Sequence, residues 1–242
     1  MKRTLMMITI LGLCMLITVS NAPHRSSAAA EAGSLIDVRD FGARGDGGDD
    51  TAAIQAAIDE AQRVGGTVYI PAGVFRLHGD GEYLLKITKQ VRLLGHGYRS
   101  FLWVHDSVPQ TTDVLLIKPE AADEAMTNFV IDGITIHADA KVRPGRHAIV
   151  IDTTEQAVSG LHIKNSWLST VDGRSIMLRN ADANGNPVHP KGLHNAVIQN
   201  NALMGGIDLA NAGDSISIIG NVFFPNRTLD NNPYTGIDVK LL

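Results

Sequence analysis

The spacing of apolar residues along this chain changes rhythm once. After Thr51 they recur at three- and four-residue steps, Ile54, Ala57, Ile58 and Ala61 falling on one side of a helix. Asp49, Asp50 and Thr51 offer N-cap oxygens and favourable charge at the positive end of its dipole. Gly65-Gly66 stops it where a left-handed backbone costs least. Beyond that point the pattern predicts short strands almost exclusively. One helix followed by many strands points to a lid on a stack of coils, not to a doubly wound sheet.

The strands repeat. Ile131 to Ile136, Ile163 to Leu168, Ile198 to Leu203 and Ile218 to Phe223 each begin with an aliphatic residue, carry Gly or Asn two positions on, and end with a large apolar residue. Gly and Asn enter left-handed backbone most cheaply, so the template reads as one tight bend per coil. A second set centres on Ile149, Ile176, Ile207 and Ile237, spaced by 27, 31 and 30 residues. Irregular periods of this size suit a parallel β-helix with loops of varying length. Its inward stack would be Ile149/Ile151, Ile176/Leu178, Ile207/Leu209 and Ile237/Val239, coils lying ~4.8 Å apart. A β-sandwich is the competing architecture, but it explains neither the Gly/Asn column nor the single leading helix. The chain stops at Lys240-Leu241-Leu242 inside a strand, without the polar cap that repeat folds need. The expectation is a piece of a longer chain, or an end covered by another subunit.

Three runs carry a family resemblance: Asp40-Phe41-Gly42-Ala43-Arg44-Gly45-Asp46-Gly47, Asp49-Asp50-Thr51-Ala52-Ala53-Ile54-Gln55-Ala56-Ala57-Ile58, and Gly65-Gly66-Thr67-Val68-Tyr69-Ile70-Pro71-Ala72-Gly73. They resemble the N-terminal signature of the pectate-lyase-like superfamily. The resemblance implies an all-β, right-handed parallel β-helix capped by one N-terminal α-helix. It leaves the reaction open, because lyases, hydrolases, epimerases and non-catalytic members share that fold.

Residues 1–30 read as a signal peptide: Lys2-Arg3, an apolar run from Leu5 to Val19, and a small-residue site at Ala28-Ala29-Ala30. The apolar run is shorter than the roughly 20 residues of a membrane span. The expected product is secreted and free of the membrane once cleaved, with the β-helix domain over 31–242. Cys14 is the sole cysteine and lies in the leader, so no disulfide or thiol chemistry is expected. The chain carries 21 basic and 25 acidic residues, net −4; cleavage would remove Lys2, Arg3 and Arg25 and no acid. So acidic a protein is a poor general polyanion binder, and nucleic acid is disfavoured as a partner. An acidic polysaccharide would have to be met by local Arg and Lys or by a bridging cation. A homo-oligomer is compatible with all of this.

Candidate chemistry lies on the outward positions of the second strand set: Val150 and Asp152, Met177 and Arg179, Asp208 and Ala210, Asp238 and Lys240. Asp208 and Asp238 share a register, ~5 Å apart. Two carboxylates so close either raise one pKa or hold a cation such as calcium. A protonated pair could work on a glycosidic bond. A bound calcium would neutralise a uronate and acidify its C5 proton. The expected catalytic residues are Asp208, Asp238, Arg179 and Lys240, with Asp208 and Asp238 as the calcium ligands. Arg143, Arg146, His147 and Asp152 are the expected substrate contacts. Gly206 to Ala210 resembles the Gly-aromatic-Asp-Pro-His strand of mannuronate epimerases at Gly206 and Asp208. Ala210 stands where that strand has its His, and Lys240 where those enzymes have a second Asp. Gly95-His96-Gly97 reads as a structural turn, His189 and His194 as a loop pair, and Trp167 and Tyr234 as sugar-stacking or packed rings. The function these readings support is lyase or glycoside hydrolase action on an acidic, pectin-like polysaccharide; the alternative is a non-catalytic glycan-binding module.

Overall fold

The computed structural model describes residues 33–120, 126–139, 144–169, 173–182, 184–188, 192–210 and 212–224, together with the backbone of 237–238. Its strands form three long parallel sheets, each gaining one strand per coil. Sheet A runs Leu35–Asp37, Thr67–Tyr69, Arg92–Leu94, Val130–Asp132, His162–Lys164, Val197–Gln199 and Ser217–Ile219. Sheet B runs Asp46–Asp49, Gly73–Leu77, Ser100–Val104, Thr135–Ala138, Trp167–Ser169, Ala202–Met204 and Val222–Phe224. Sheet C runs Tyr83–Ile87, Asp113–Ile117, Ile149–Asp152, Ile176–Arg179, Ile207–Asp208 and Ile237–Asp238. The chain is a parallel β-helix. Isoleucine ladders fill the interior, Ile131, Ile163 and Ile198 pairing in sheet A and Ile149, Ile176 and Ile207 in sheet C. All six are fully buried.

The bend between sheets A and B is where the repeated Gly/Asn position does its work. Gly133, Asn165, Asn200 and Gly220 have φ of 68°, 53°, 56° and 66°. After three of these bends the next residue, Ser166, Asn201 and Asn221, builds a polar ladder inside the turn. The Asn201 carboxamide accepts from Ser166 N at 3.0 Å and donates to Ile163 O at 2.9 Å. Asn221 repeats this one coil later, accepting from Asn201 N at 2.9 Å and donating to Ile198 O at 2.8 Å. Buried amides thereby satisfy backbone groups that the turn takes out of the sheet ladder.

Helix α1 (Thr51–Val64) covers the first coil, burying Ile54, Ala57, Ile58 and Ala61. Tyr83–Ile87 is the edge strand of sheet C, and its free backbone groups need partners. Gln55 accepts from Lys86 N at 2.8 Å and donates to Lys86 O at 3.0 Å. Gln62 accepts from Thr88 N at 2.6 Å. Two glutamines thus replace the missing strand. The capping differs from the sequence expectation. Asp50 occupies the N-cap but its carboxylate makes no bond to the helix. It turns the other way and accepts from Arg44 N at 2.7 Å, Gly45 N at 3.2 Å and Arg76 N at 3.3 Å. Asp49 holds Thr51 N at 2.9 Å instead. Asp50 is 2% exposed, and the three orphaned amides of the loop outbid the helix end for it.

Candidate active site

The outward face of sheet C, with the turns that feed it, gathers charge. Asp113, His147 and Arg174 each lie two residues before the paired inward residues Leu115, Ile149 and Ile176, so they occupy equivalent places on three successive coils. The His147 Nδ1 accepts from the backbone N–H of Arg174 at 2.8 Å. That bond fixes the tautomer, leaving the ring proton on Nε2. Burial is the main reason the His147 imidazole titrates as low as about 3, with Arg146, Arg179 and Arg174 adding repulsion. His147 is therefore neutral at any ordinary pH, a hydrogen-bond donor inside a cationic group.

Asp113 is 1% exposed. Burial pushes its carboxyl above the usual carboxylate range, opposed by Arg179 and Arg146. Arg179 pairs with Asp113 and reaches Glu82 at 3.4 Å. Asp208 sits one strand further along: its carboxylate lies 3.8 Å from the Arg174 guanidinium and accepts from Ala210 N at 3.2 Å. Arg146 is exposed at the edge of the cluster. Three guanidinium groups thus surround a neutral imidazole and two carboxylates, in a protein whose net charge is −4.

Of the residues expected from sequence, the structure brings Arg146, His147, Arg179 and Asp208 into this one group. Backbone register pairs Asp208 with Asp238; the side chain of Asp238 lies outside the described residues, as do Arg143 and Lys240. Asp152 pairs in register with Arg179, but it is 7% exposed and its carboxylate is held by Lys118 at 3.5 Å and by Thr154 N at 3.1 Å. Among the described residues no group of three His, Cys, Asp or Glu side chains could hold a metal ion. The Asp208 carboxylate already has Arg174 and an N–H for partners, so a calcium there would need oxygens from elsewhere.

The weaker candidates are accounted for one by one. His96 bonds Tyr69 in a turn where Gly97 takes φ 63°. His194 faces Asp214 at 3.0 Å. Trp167 lies on the outward side of sheet B, packed edge-on to Tyr98. His189 and Tyr234 fall outside the described residues. Asp113 and Arg174 were missed by the sequence reading. Carrying the coil alignment back two residues from Leu115, Ile149 and Ile176 would have found both.

The chain belongs to the rhamnogalacturonase A/epimerase, pectate lyase-like family, whose profile matches residues 35–240. Mannuronan C5-epimerase AlgE2 of Azotobacter vinelandii is 41% identical over 115 residues, covering 45% of this chain and 11% of that protein. Alginate lyase 7 of the same organism is 52% identical over 65 residues, 25% of this chain and 8% of that one. The solved A-module of the A. vinelandii mannuronan C-5 epimerase AlgE4 superposes on 76% of this chain and 58% of its own, at 21% identity and a TM-score of 0.40. The chain thus spans a small part of the length of the curated relatives it matches.

Proposed function

We propose that this chain acts on a uronate polysaccharide of the mannuronan or alginate type, through removal of the C5 proton of the sugar. The observation that carries this reading is the cationic cluster of Arg146, Arg174 and Arg179 around neutral His147, beside Asp208, in an acidic molecule. A uronate carboxylate is a planar anion, and guanidinium groups meet it two-pronged. Pairing it with Arg146 and Arg174 lowers the cost of placing charge on the adjacent carbon when C5–H is broken. Asp208 takes the proton, and the His147 Nε2–H donates a hydrogen bond to the developing enolate-like oxygen. The carbanion then has two fates. A proton from water on the opposite face inverts C5 while Asp208 returns its own to solvent; expulsion of the 4-linked sugar oxygen, which takes up a proton as it leaves, gives an unsaturated uronate. The names of the two relatives, an epimerase and a lyase, correspond to these two outcomes. Glycosidic hydrolysis by the Asp208–Asp238 pair is the less supported route, because Arg174 engages Asp208 as a carboxylate.

A second reading has its own support: Ala210 supplies no proton donor or acceptor beside Asp208, which favours a non-catalytic glycan-binding module. The test is polymannuronate in D2O, with calcium and with chelator. Deuterium at C5 by NMR or ultraviolet absorbance of unsaturated ends supports the enzyme, and Asp208→Asn should abolish either without lowering the melting temperature. Absence of exchange, of unsaturation and of new reducing ends in both arms removes the enzyme reading and leaves the binding module. Secretion through residues 1–30 belongs to the same proposal. No helix among the described residues is long and apolar enough to cross a membrane.

A further inference from the structure

Sheet B carries a second concentration of outward side chains, and it is aromatic where sheet C is charged. Trp103 and His137 are neighbours in one outward column, their rings 4.6 Å apart. Trp167 stands in the adjacent column with its ring 5.7 Å from His137 and 5.7 Å from Tyr98. Both tryptophans of the chain are therefore on this face. On the next coil the pattern breaks: Ala202 follows Trp167 in register, and Met204 on that strand is followed by Phe224. Because the Ala202 side chain ends at Cβ, a slot opens between Trp167 and Phe224. Its volume is about 280 Å³ and its lining is Tyr98, Trp167, Ala202, Met204 and Phe224. Trp167 and Phe224 belong to strands two coils apart, ~10 Å, which leaves a gap about one coil thick. The rims are open, Tyr98 being 56% and Phe224 44% exposed.

We propose that this slot binds one pyranose ring of a polysaccharide by its apolar face, a sugar site separate from the arginine cluster on sheet C. The lining has no charged side chain, so an ion-paired ligand finds nothing there, while the C–H face of a sugar ring finds aromatic surface on both sides. The Trp167 Nε1 and the His137 Nδ1 are buried without hydrogen-bond partners. A hydroxyl-rich ligand brings an oxygen for the Trp167 Nε1 of the lining; a purely apolar partner, such as the same face of a second copy, would leave that atom unpaired at full cost. The coil repeat is close to the length of one sugar in an extended chain, so a polymer laid along the sheet keeps step with it. Only the polysaccharide class is carried over from the proposed function; the site stands on its own geometry.

The experiment is a fluorescence titration of the full chain with hexamannuronate and with cellohexaose. Both tryptophans report from this face, so binding in the slot changes their emission and saturates. Ala202→Leu keeps both tryptophans but fills the slot, and affinity should fall about tenfold or more. Tyr98→Ala, at an exposed position, should weaken binding by a smaller factor and guards against misfolding of the first variant. Arg146→Ala should leave the signal in place. The inference is overturned if neither hexamer changes the emission, if Ala202→Leu and Tyr98→Ala both titrate like the parent, or if Arg146→Ala removes the signal, which would put it on sheet C. Sugar-independent dimers in sedimentation that Ala202→Leu dissolves would likewise assign the slot to a second copy. A positive titration beside the absence of exchange, of unsaturated ends and of new reducing ends removes the enzyme reading and leaves this one standing.

Discussion

Acid should loosen this fold through His147. The imidazole is 7% exposed and titrates at about 3 when folded, against 6.5 for an ordinary histidine. Its folded pKa is depressed, so the unfolded chain takes up the proton first. The stabilisation is present in full above pH 6.5 and drains away as pH falls toward 3. In that window each pH unit costs up to ~1.4 kcal/mol, so the step from pH 6.5 to pH 5 removes about 2 kcal/mol. His147→Asn is the matched control: its side-chain oxygen can still accept from Arg174 N, and it never charges. Urea unfolding at pH 7, 6 and 5 should show the parent losing about 2 kcal/mol more than the variant over that range. Groups common to both proteins cancel in the difference. Equal slopes within ~0.5 kcal/mol would mean that His147 is solvated or charged in the native state. The cationic cluster would then be built differently from what is described above.

Three further perturbations probe other parts of the molecule. Asn201→Leu leaves Ser166 N and Ile163 O buried without partners and should cost about 3 kcal/mol in chemical denaturation; a loss under ~1 kcal/mol would mean that this coil opens independently. Asp50→Ala strips three backbone amides of their acceptor and should lower the melting temperature more than Asp49→Ala, which removes the acceptor of one backbone amide and of the exposed Thr51 hydroxyl bond, a cap worth ~1 kcal/mol; the reverse order would restore Asp50 as a helix cap. Gly173→Ala drives a methyl group into the Arg146 carbonyl and to 2.6 Å from the His147 Nδ1. It should cost ~1–3 kcal/mol and depress any activity on polymannuronate; an unchanged melting temperature would show that the turn yields freely.

The coil was legible because its signal is steric and local. A left-handed bend admits Gly and Asn, and four such bends at one place in an alternating pattern identify the turn and, through it, the register that pairs Asp208 with Asp238. The helix end was legible at Gly65 and misread at Asp50, because a carboxylate at an N-cap serves whichever orphaned amides approach it, and Arg76 approaches from 26 residues away. The cluster on sheet C was only half visible. Arg179 and Asp208 stand inside strands, where alternation marks them as outward. Arg174 stands ahead of its strand and Asp113 opens one, where the alternation is not yet established, and the Asp113–Arg179 pair spans 66 residues. Burial made Asp113 a structural partner, and burial is what a pattern of letters conveys least.

On the proposed reading, the charges of the cluster let an acidic protein address an acidic polymer. Long-range attraction is unavailable at a net charge of −4, so recognition must be local and prepared in advance. Arg179 is held by Asp113 and Glu82, and Arg174 is steered by Asp208. Each carboxylate costs the site some positive field but fixes a long side chain in one place, so less rotamer freedom remains to be lost on binding. Neutral His147 matters for the same reason. A fourth cation among three arginines would push them apart, whereas an uncharged imidazole packs between them and still offers an N–H. A uronate carboxylate, the ligand proposed above, would meet guanidinium groups already oriented, with Arg146 exposed to make first contact.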